Sequence, residues 1–201
     1  DLSPMQWRML GRRGQRASWT IVGDPAQSSW PDAAEATRAR DQALGKRTRR
    51  SFRLSTNYRN SAEIFEFARR VIGRESPDLE VPVAVRRTGV PPVHRIVGPD
   101  EMAGTVRGAV VDLLGAVEGT IGVVPPAARV TEVAGWAKGL DDRVLVLPPL
   151  ATKGLEYDAV VVVEPQDIAT ENVVGVRTLY VVLTRATGRL VTVSTDDSWR
   201  D

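Results

Sequence analysis

Four short polar motifs carry side chains that can bind phosphate or ribose. They are Gly-Asp-Pro-Ala-Gln-Ser at 23–28, Leu-Ser-Thr-Asn-Tyr-Arg-Asn at 54–60, Thr-Lys-Gly-Leu-Glu-Tyr at 152–157 and Leu-Tyr-Val-Val-Leu-Thr-Arg-Ala at 179–186. Arg59 and Arg185 each offer a planar fork of donors that matches phosphate oxygens. Gln27 can orient a water or sense a terminal phosphate, and Glu156 can accept hydrogen bonds from ribose hydroxyls. In combination, these residue types predict part of a nucleoside triphosphate site.

The phosphate-binding loop of such a site has no good match in the chain. Gly45 and Lys46 form the Gly-Lys pair with which that loop ends. The loop also needs a glycine five positions before the pair's glycine, and a Ser or Thr after its lysine. Positions 40 and 47 are both arginine, so the pair does not fit. The predicted site therefore lacks its phosphate loop.

Alternating strands and helices are predicted to position these motifs. Residues 159–163 are five consecutive apolar residues, which predicts a strand covered on both faces, as in a parallel sheet. Further strands are predicted at 17–22, 51–55, 93–97, 120–124, 143–147 and 190–194. Helices are predicted at 4–10, 32–44, 61–72, 100–117, 127–140 and 171–187, the second, third and fourth beginning at Asp32, Ser61 and Asp100. Residues 73–92 contain several prolines and are interpreted as a connection. The pattern predicts an α/β fold with a parallel sheet flanked by helices on both faces, and the four chemical side chains fall at strand–helix junctions.

Composition excludes several classes of protein. The chain has 201 residues, of which 42% are apolar and 26% charged, as in a globular domain. No apolar run approaches the length of a membrane-spanning helix. There is no cysteine and only one histidine, so thiolate or histidine metal sites and a Ser-His-Asp triad are not expected. The absence of cysteine is compatible with a reducing compartment, and we expect a cytoplasmic protein. Because the first residue is Asp1, we also expect an internal piece of a longer protein.

Positive charge is concentrated near the start of the chain. Residues 1–60 hold 12 Lys and Arg against 5 Asp and Glu, although the whole chain carries a formal charge of only +2. The densest cluster consists of Arg47, Arg49, Arg50 and Arg53. One interpretation is a phosphate-rich partner that is bound with release of counterions. The other is a solvated linker or an interface to another domain.

In this order the four motifs resemble those of superfamily 1 helicases of the UvrD/Rep/PcrA type. The usual forms in that family are GDxxQS, NYRS, SKGLEF and YVALTRA. The resemblance is closer to HelD-like and helicase IV-like members, and it covers nearly the whole chain. Residues 1–6 are similar to the segment just after the family's Asp-Glu-x-Gln Walker B motif. The order and spacing of the set make the resemblance specific.

The resemblance implies a role for each matching residue on the nucleotide side. Gln27 would couple the γ-phosphate to the nucleic-acid site, and Tyr58 would stack on the adenine base. Arg59 would contact the γ-phosphate, and Arg185 would be a second γ-phosphate arginine in the arginine-finger role. Glu156 would bond to the ribose. Gln27, Arg59 and Arg185 would thus be catalytic residues of an ATPase.

On the nucleic-acid side the match is weaker. The backbone at Lys153 and Gly154 would lie between the nucleotide and the nucleic-acid groove. Gly154 is assigned to the nucleotide. The residues assigned to nucleic acid are Thr152, Lys153 and Trp30. The alternative interpretation is that Lys153 only stabilises the turn in which it lies and contacts no phosphate. Relatives carry Ile-Tyr-x-Trp in this region; Trp30 stands at the position of the tyrosine, and the second aromatic residue is missing. The alternative interpretation is that Trp30 packs at a domain interface. Leu150 replaces the histidine that relatives carry three residues before the lysine.

The resemblance implies two RecA-like domains. Residues 1–48 would be the end of the first, and residues 49–201 a complete second domain, with no room for a large inserted subdomain between Asn57 and Lys153. ATP and Mg²⁺ would be the cofactors, with the Mg²⁺ ligands mostly outside this chain, which alone should not hydrolyse ATP. The longer protein would be a helicase acting on DNA, or a HelD-like ATPase that remodels RNA polymerase. A third possibility is a folded binding module with a degenerate site.

Overall fold

Two compact units make up the chain, residues 1–53 and residues 54–201. The computed structural model describes residues 2–14, 17–28, 30–77 and 79–200. Along the chain, the first unit ends at Arg53 and the second begins at Leu54, whereas the resemblance places the domain boundary between positions 48 and 49. The assignment of the units to two RecA-like domains stays a prediction. Asp1, the first residue of the segment compared with the Walker B region, lies outside the described residues.

In the first unit, the residues that the structure describes form two packed helices, α1 (Pro4–Arg13) and α2 (Ala33–Leu44), and a 3₁₀ turn at Pro25–Gln27. The predicted N-cap of α2 is confirmed, because the Asp32 carboxylate accepts a hydrogen bond from the amide of Glu35 at 2.7 Å. The strand predicted at 17–22 is wrong, since these residues form no regular structure. A strand needs a partner for its backbone groups, and no strand is found among the described residues of this unit.

The described residues of the second unit, 54–77 and 79–200, form seven strands and five α-helices. The strands are β1 (Thr56–Ser61), β2 (Val83–Arg86), β3 (Val93–Ile96), β4 (Ile121–Val124), β5 (Val144–Val146), β6 (Tyr157–Val163) and β7 (Ala186–Ser194). The helices are α3 (Ala62–Glu75), α4 (Met102–Ala116), α5 (Val130–Ala137), α6 (Pro165–Thr170) and α7 (Gly175–Leu183). The Ser61 hydroxyl accepts a hydrogen bond from the amide of Ile64, so its predicted N-cap role is confirmed. Asp100 lies instead in a 3₁₀ turn that precedes α4.

A five-stranded sheet of order β3-β7-β6-β4-β5 forms the centre of this unit, and β1 pairs with β2 in a second sheet. Every pairing in both sheets is parallel. The predicted α/β fold with a parallel sheet flanked by helices is therefore confirmed. Because both neighbours of β6 are strands, this segment lies at the middle of the sheet, as its run of apolar residues predicts.

The core covers both faces of β6. Ala159, Val161 and Val163 pack with residues of α4 and with Val133 of α5. The alternate residues Val160 and Val162 point to the opposite face, where α7 contacts β6 and α3 contacts α7. All five residues from 159 to 163 have no exposed surface, which confirms the predicted strand covered on both faces.

Three other boundaries differ from those predicted. The strand predicted at 51–55 is wrong, because β1 begins at Thr56 and runs through the polar motif itself. The connection predicted at 73–92 contains β2, whose only buried side chain, Ala84, packs on Ala62 and Phe65 of α3. The helix predicted at 171–187 is shorter than expected, because α7 spans only Gly175–Leu183 and β7 already begins at Ala186, while α6 precedes the predicted range. β1 and β2 are short or polar strands, and they have too few buried positions to produce a recognisable alternation of apolar and polar residues.

His94 provides a test of the packing around β3. Its ring lies 4.7 Å from that of Phe67, and its Nδ1 lies 2.8 Å from Oγ1 of Thr192. Burial, together with the charges of Arg200 and Arg70, lowers the pKa of His94 from 6.5 to about 4. Between these pH values the unfolded chain binds a proton that the folded chain does not, so stability is lost as the pH falls from about 6.5 towards 4. Urea denaturation at pH 7 and pH 5 should show a larger loss for the natural protein than for His94→Gln. Equal losses would contradict this burial.

Gly175 tests the junction between α6 and α7. A Cβ at this position would lie 2.1 Å from the carbonyl oxygen of Ala169, a backbone atom that cannot move aside easily. Gly175→Ala should therefore lower the free energy of unfolding by about 1–3 kcal/mol. The matched control is Gly108→Ala in α4, where nothing lies within 4 Å of the added atom. That substitution should stabilise the helix by up to about 1 kcal/mol. Similar changes in the two variants, measured by urea denaturation, would refute the close approach.

Candidate functional site

Two of the predicted motifs meet at the amino ends of β6 and β7. Tyr157, the first residue of β6, pairs with Ala186, the first residue of β7, and its amide donates to the carbonyl of Arg185 at 3.0 Å. Glu156 and Arg185 each come directly before these paired residues. The pairing therefore places the two motifs side by side, although they are far apart in the sequence. Ligand sites of open α/β sheets usually lie at the carboxyl ends of the strands. This site lies at the opposite side of the sheet, at the amino ends of β6 and β7, which is called the amino edge below.

Arg59 and Glu156 form an ion pair that joins a third motif to the amino edge. Nε of Arg59 lies 2.8 Å from Oε1 of Glu156. The side chains are 47% and 48% exposed, so both remain accessible to a ligand. A guanidinium and a carboxylate at this separation present donors and acceptors to the same small volume. The arrangement suits a ligand that has both anionic and hydroxyl groups.

Arg185 is buried, with 2% of its surface exposed. Its Nε donates to the carbonyl of Val181 at 3.0 Å, and its Nη1 donates to the carbonyl of Leu155 at 3.1 Å. The guanidinium thus ties the end of α7 to the residue next to Glu156. In this arrangement it faces the protein interior, so contact with a phosphate would require the side chain to turn outward. The γ-phosphate role of Arg185 stays a prediction.

A network of side-chain amides, which the sequence alone did not reveal, holds the turn at residues 57–60 that carries Arg59, within β1 where its pairing with β2 is irregular. The Oδ1 of Asn57 accepts from the amides of Arg59 at 2.9 Å and of Asn60 at 3.2 Å. The Asn60 side chain is buried and reaches the carbonyls of Thr184 and Ala186. Asn57 and Asn60 lie within a predicted motif, but the two carbonyls to which Asn60 donates are more than a hundred residues away. No local signal in the sequence could have revealed this contact.

Tyr58 and Gly154, which are also assigned to the nucleotide, are close in sequence to Arg59 and Glu156. Tyr58 is 73% exposed, so its ring offers a face for stacking. Gly154 has φ +83°, a left-handed conformation that favours glycine and that turns the chain between Lys153 and Glu156. Tyr157 is buried, and burial raises the pKa of its hydroxyl while the charge of Arg185 opposes the shift.

Thr152 and Lys153, assigned to nucleic acid, lie in the turn that precedes Gly154. Thr152 is fully buried, and its hydroxyl donates to the carbonyl of Pro149 at 2.7 Å. The amide of Lys153 donates to the carbonyl of Leu150 at 3.3 Å, and the residue is half-buried. The Thr152 hydroxyl therefore stabilises the turn. Its assignment to nucleic acid, like that of Lys153, stays a prediction.

Gln27 and Trp30 belong to the first compact unit, and each bonds a carboxylate of that unit. The Nε2 of Gln27 donates to Asp24 at 2.7 Å, and the same carboxylate accepts from the amide of Ala26 at 2.9 Å. The Nε1 of Trp30 donates to Glu35 at 3.3 Å. The Gly-Asp-Pro turn is therefore a capped 3₁₀ turn that holds Gln27 at its end. The roles predicted for both residues stay predictions.

The described part of the chain shows neither a metal-binding group nor a membrane-spanning helix. No group of three or more His, Asp or Glu residues there is arranged to hold a metal ion. Within the same residues, no helix has both the length and the apolar character needed to cross a bilayer.

Comparisons with known proteins find similarity among solved structures only. No protein-family model matches the chain, and no curated protein matches it. Among solved structures, the chain is similar to the C-terminal domain of a possible DNA helicase from Lactobacillus plantarum WCFS1. The identity is 17% and the TM-score 0.49, and the match covers 72% of this chain and 92% of that chain. The α/β fold itself rests on the strand pairings of this chain.

The two arginines should respond differently to the same substitution. Arg59→Met removes a half-exposed ion pair and should change the free energy of unfolding by less than about 1 kcal/mol. Arg185→Met leaves the carbonyl of Leu155 without its guanidinium donor, and should cost at least about 1–3 kcal/mol. Urea denaturation of both variants measures the difference. Equal losses would show that Arg185 is not held as described.

Proposed function

We propose that this chain supplies one wall of an ATP site in a helicase-type motor. The observation that carries the proposal is the meeting of Arg59 and Glu156 at 2.8 Å. Arg185 lies beside this pair and donates to the carbonyl of Leu155. Three motifs that resemble ATP-binding motifs of superfamily 1 helicases are thus joined at one edge of a parallel sheet.

The residues at the amino edge fit the chemistry of a nucleoside triphosphate. Arg59 binds the terminal phosphate through its guanidinium donors, and Arg185 adds a second positive charge beneath it. Glu156 accepts hydrogen bonds from the ribose hydroxyls, and the exposed ring of Tyr58 stacks on adenine. In the proposed motor, the phosphate loop and the Mg²⁺ ligands belong to another RecA-like domain, since no phosphate loop occurs in these 201 residues. The chain alone therefore binds nucleotide weakly and does not hydrolyse it.

DNA is the proposed substrate of this motor. The turn at Lys153 and Gly154 links the nucleotide-binding residues of the second unit to a nucleic-acid surface. Trp30, in the first unit, is separately assigned to stack on a base. Closure of two RecA-like domains around ATP would change the grip of that surface on the strand. The roles of Gln27 and Thr152 follow the same resemblance.

A second candidate is an ATPase that remodels RNA polymerase. Leu150, which stands where relatives carry a histidine on the nucleic-acid side, is 65% exposed. An exposed apolar side chain at that position is better suited to a protein surface than to a phosphate backbone. An unwinding assay on a longer protein that carries this chain separates the two candidates. Robust ATP-dependent strand separation supports the helicase, whereas co-purification with RNA polymerase without unwinding supports the remodeller.

Nucleotide binding by this chain tests the proposal directly. Titration with fluorescent ATP and ADP analogues should show tighter binding of the triphosphate. Arg59→Ala should weaken triphosphate binding by about tenfold or more, because a hydrogen bond to a charged group contributes roughly 1.5–3 kcal/mol. It should leave diphosphate binding nearly unchanged.

Arg87→Ala is the matched control for that titration. Arg87 also forms an exposed ion pair, with Glu66 at 3.6 Å, but it lies outside the proposed site. Its removal should leave both affinities unchanged. If Arg59→Ala and Arg87→Ala bind the triphosphate as the natural protein does, the proposed site is wrong.

A further inference from the structure

We propose that Asn60 is a positioning residue that locks the turn carrying Arg59 to the turn carrying Arg185. The two turns would then move as one body and hold the exposed Arg59 at a fixed distance from the buried positive charge of Arg185. The coupling of the two turns is inferred from the hydrogen bonds alone. Its purpose rests on the proposed function.

The Asn60 side chain uses both of its donors and its acceptor oxygen in hydrogen bonds. It is 2% exposed, and its Nδ2 donates to the carbonyl of Thr184 at 2.8 Å and to that of Ala186 at 2.7 Å. These two carbonyls flank Arg185. An amide nitrogen has two N–H groups, so both are used. The Oδ1 of Asn60 accepts from the Nδ2 of Asn57 at 2.9 Å, which fixes the orientation of the amide.

Asn57 continues the network to the backbone of Arg59. Its Oδ1 accepts from the amide of Arg59 at 2.9 Å and from that of Asn60 at 3.2 Å. These bonds set the shape of the turn from which the Arg59 side chain projects. An unbroken series of hydrogen bonds therefore runs from the Arg59 amide, through two side-chain amides, to the carbonyls on either side of Arg185.

Arg86 provides a second link on the exposed side. Its Nη2 donates to the carbonyl of Arg59 at 2.8 Å and also to the carbonyl of Thr187. Arg86 lies at the end of β2, and Thr187 lies at the start of β7. The turn around Arg59 is therefore tied to β7 from two directions.

These links matter because the backbone pairing does not make the connection. β1 pairs with β2, and β7 pairs with β3 and β6, so no pairing in the described residues joins β1 to β7. In a continuous sheet, ladder hydrogen bonds would fix the distance between the two segments. Here the side chains of Asn60 and Arg86 take that place. Because the Asn60 amide is buried, water cannot easily replace its bonds, and the contact is specific.

Asn60→Asp is the sharpest test of this contact. The substitution keeps the size of the side chain, but it places a carboxylate oxygen against two carbonyl oxygens. The matched control is Asn172→Asp, because the Oδ1 of Asn172 accepts from the amide of Val174 at 3.0 Å and an aspartate preserves that bond. Asn60→Ser and Arg86→Lys are further variants that weaken the links without burying a charge.

Hydrogen–deuterium exchange measures the coupling without any nucleotide. In Asn60→Asp, or in Asn60→Ser should the aspartate variant not fold, exchange at residues 57–61 and 184–187 should rise together by about tenfold or more. Exchange in β4 should stay unchanged, and so should the whole profile of Asn172→Asp. Arg86→Lys should raise exchange in the same two segments to a smaller extent. Faster exchange at 57–61 with no change at 184–187 would overturn the inference.

Nucleotide discrimination tests the purpose of the coupling. If Asn60 positions the arginines, Asn60→Ser should reduce the ratio of triphosphate to diphosphate affinity several-fold, as Arg59→Ala does, and not merely lower the melting temperature. An unchanged ratio in Asn60→Ser, alongside a reduced ratio in Arg59→Ala, would overturn the positioning role. Absence of any triphosphate preference in the natural protein would refute the proposed function instead. The exchange measurement would still decide whether Asn60 couples the turns.

Discussion

The parallel pairing of β6 with β7 is the contact on which the candidate site depends. It sets Tyr157 opposite Ala186, and so it places the preceding residues, Glu156 and Arg185, at one edge of the sheet. The pairing is stable because β6 is buried on both faces by helices, which leaves its backbone no alternative partner such as water. A shift in this register would separate the carboxylate from the arginines. The hydrophobic core therefore determines the geometry of the polar residues.

The two arginines at this edge are held in different ways. Arg59 lies half-exposed in an ion pair, where it costs little to rearrange around a ligand. Arg185 is buried and bonded to backbone carbonyls, so its charge is a fixed part of the fold. A buried cation is costly to desolvate, and its hydrogen bonds offset that cost. One arginine thus gives the edge a mobile donor, and the other gives it a constant positive potential.

The places where prediction failed share a physical cause. Residues 17–22 have the composition of a strand, but the described part of the first unit offers no strand for them to pair with. β1 and β2 were missed or displaced because they bury few side chains and so lack a strong pattern. The position of the site at the amino ends of β6 and β7 also departs from the usual rule for open sheets. Strand identity and strand direction within a sheet depend on partners that a local window does not contain.

The sequence by itself determined the α/β class, the central buried strand at 159–163, the N-caps Asp32 and Ser61, and the residue types of the candidate site. These features follow from local periodicity and from side chains that bond within one turn of backbone. Only the tertiary structure decided that Arg59 meets Glu156, that Arg185 is buried, and that Asn60 bridges the two turns. Each of these contacts joins residues distant in the chain. They arise because the packed core fixes which strands are neighbours, and local periodicity carries no information about that choice.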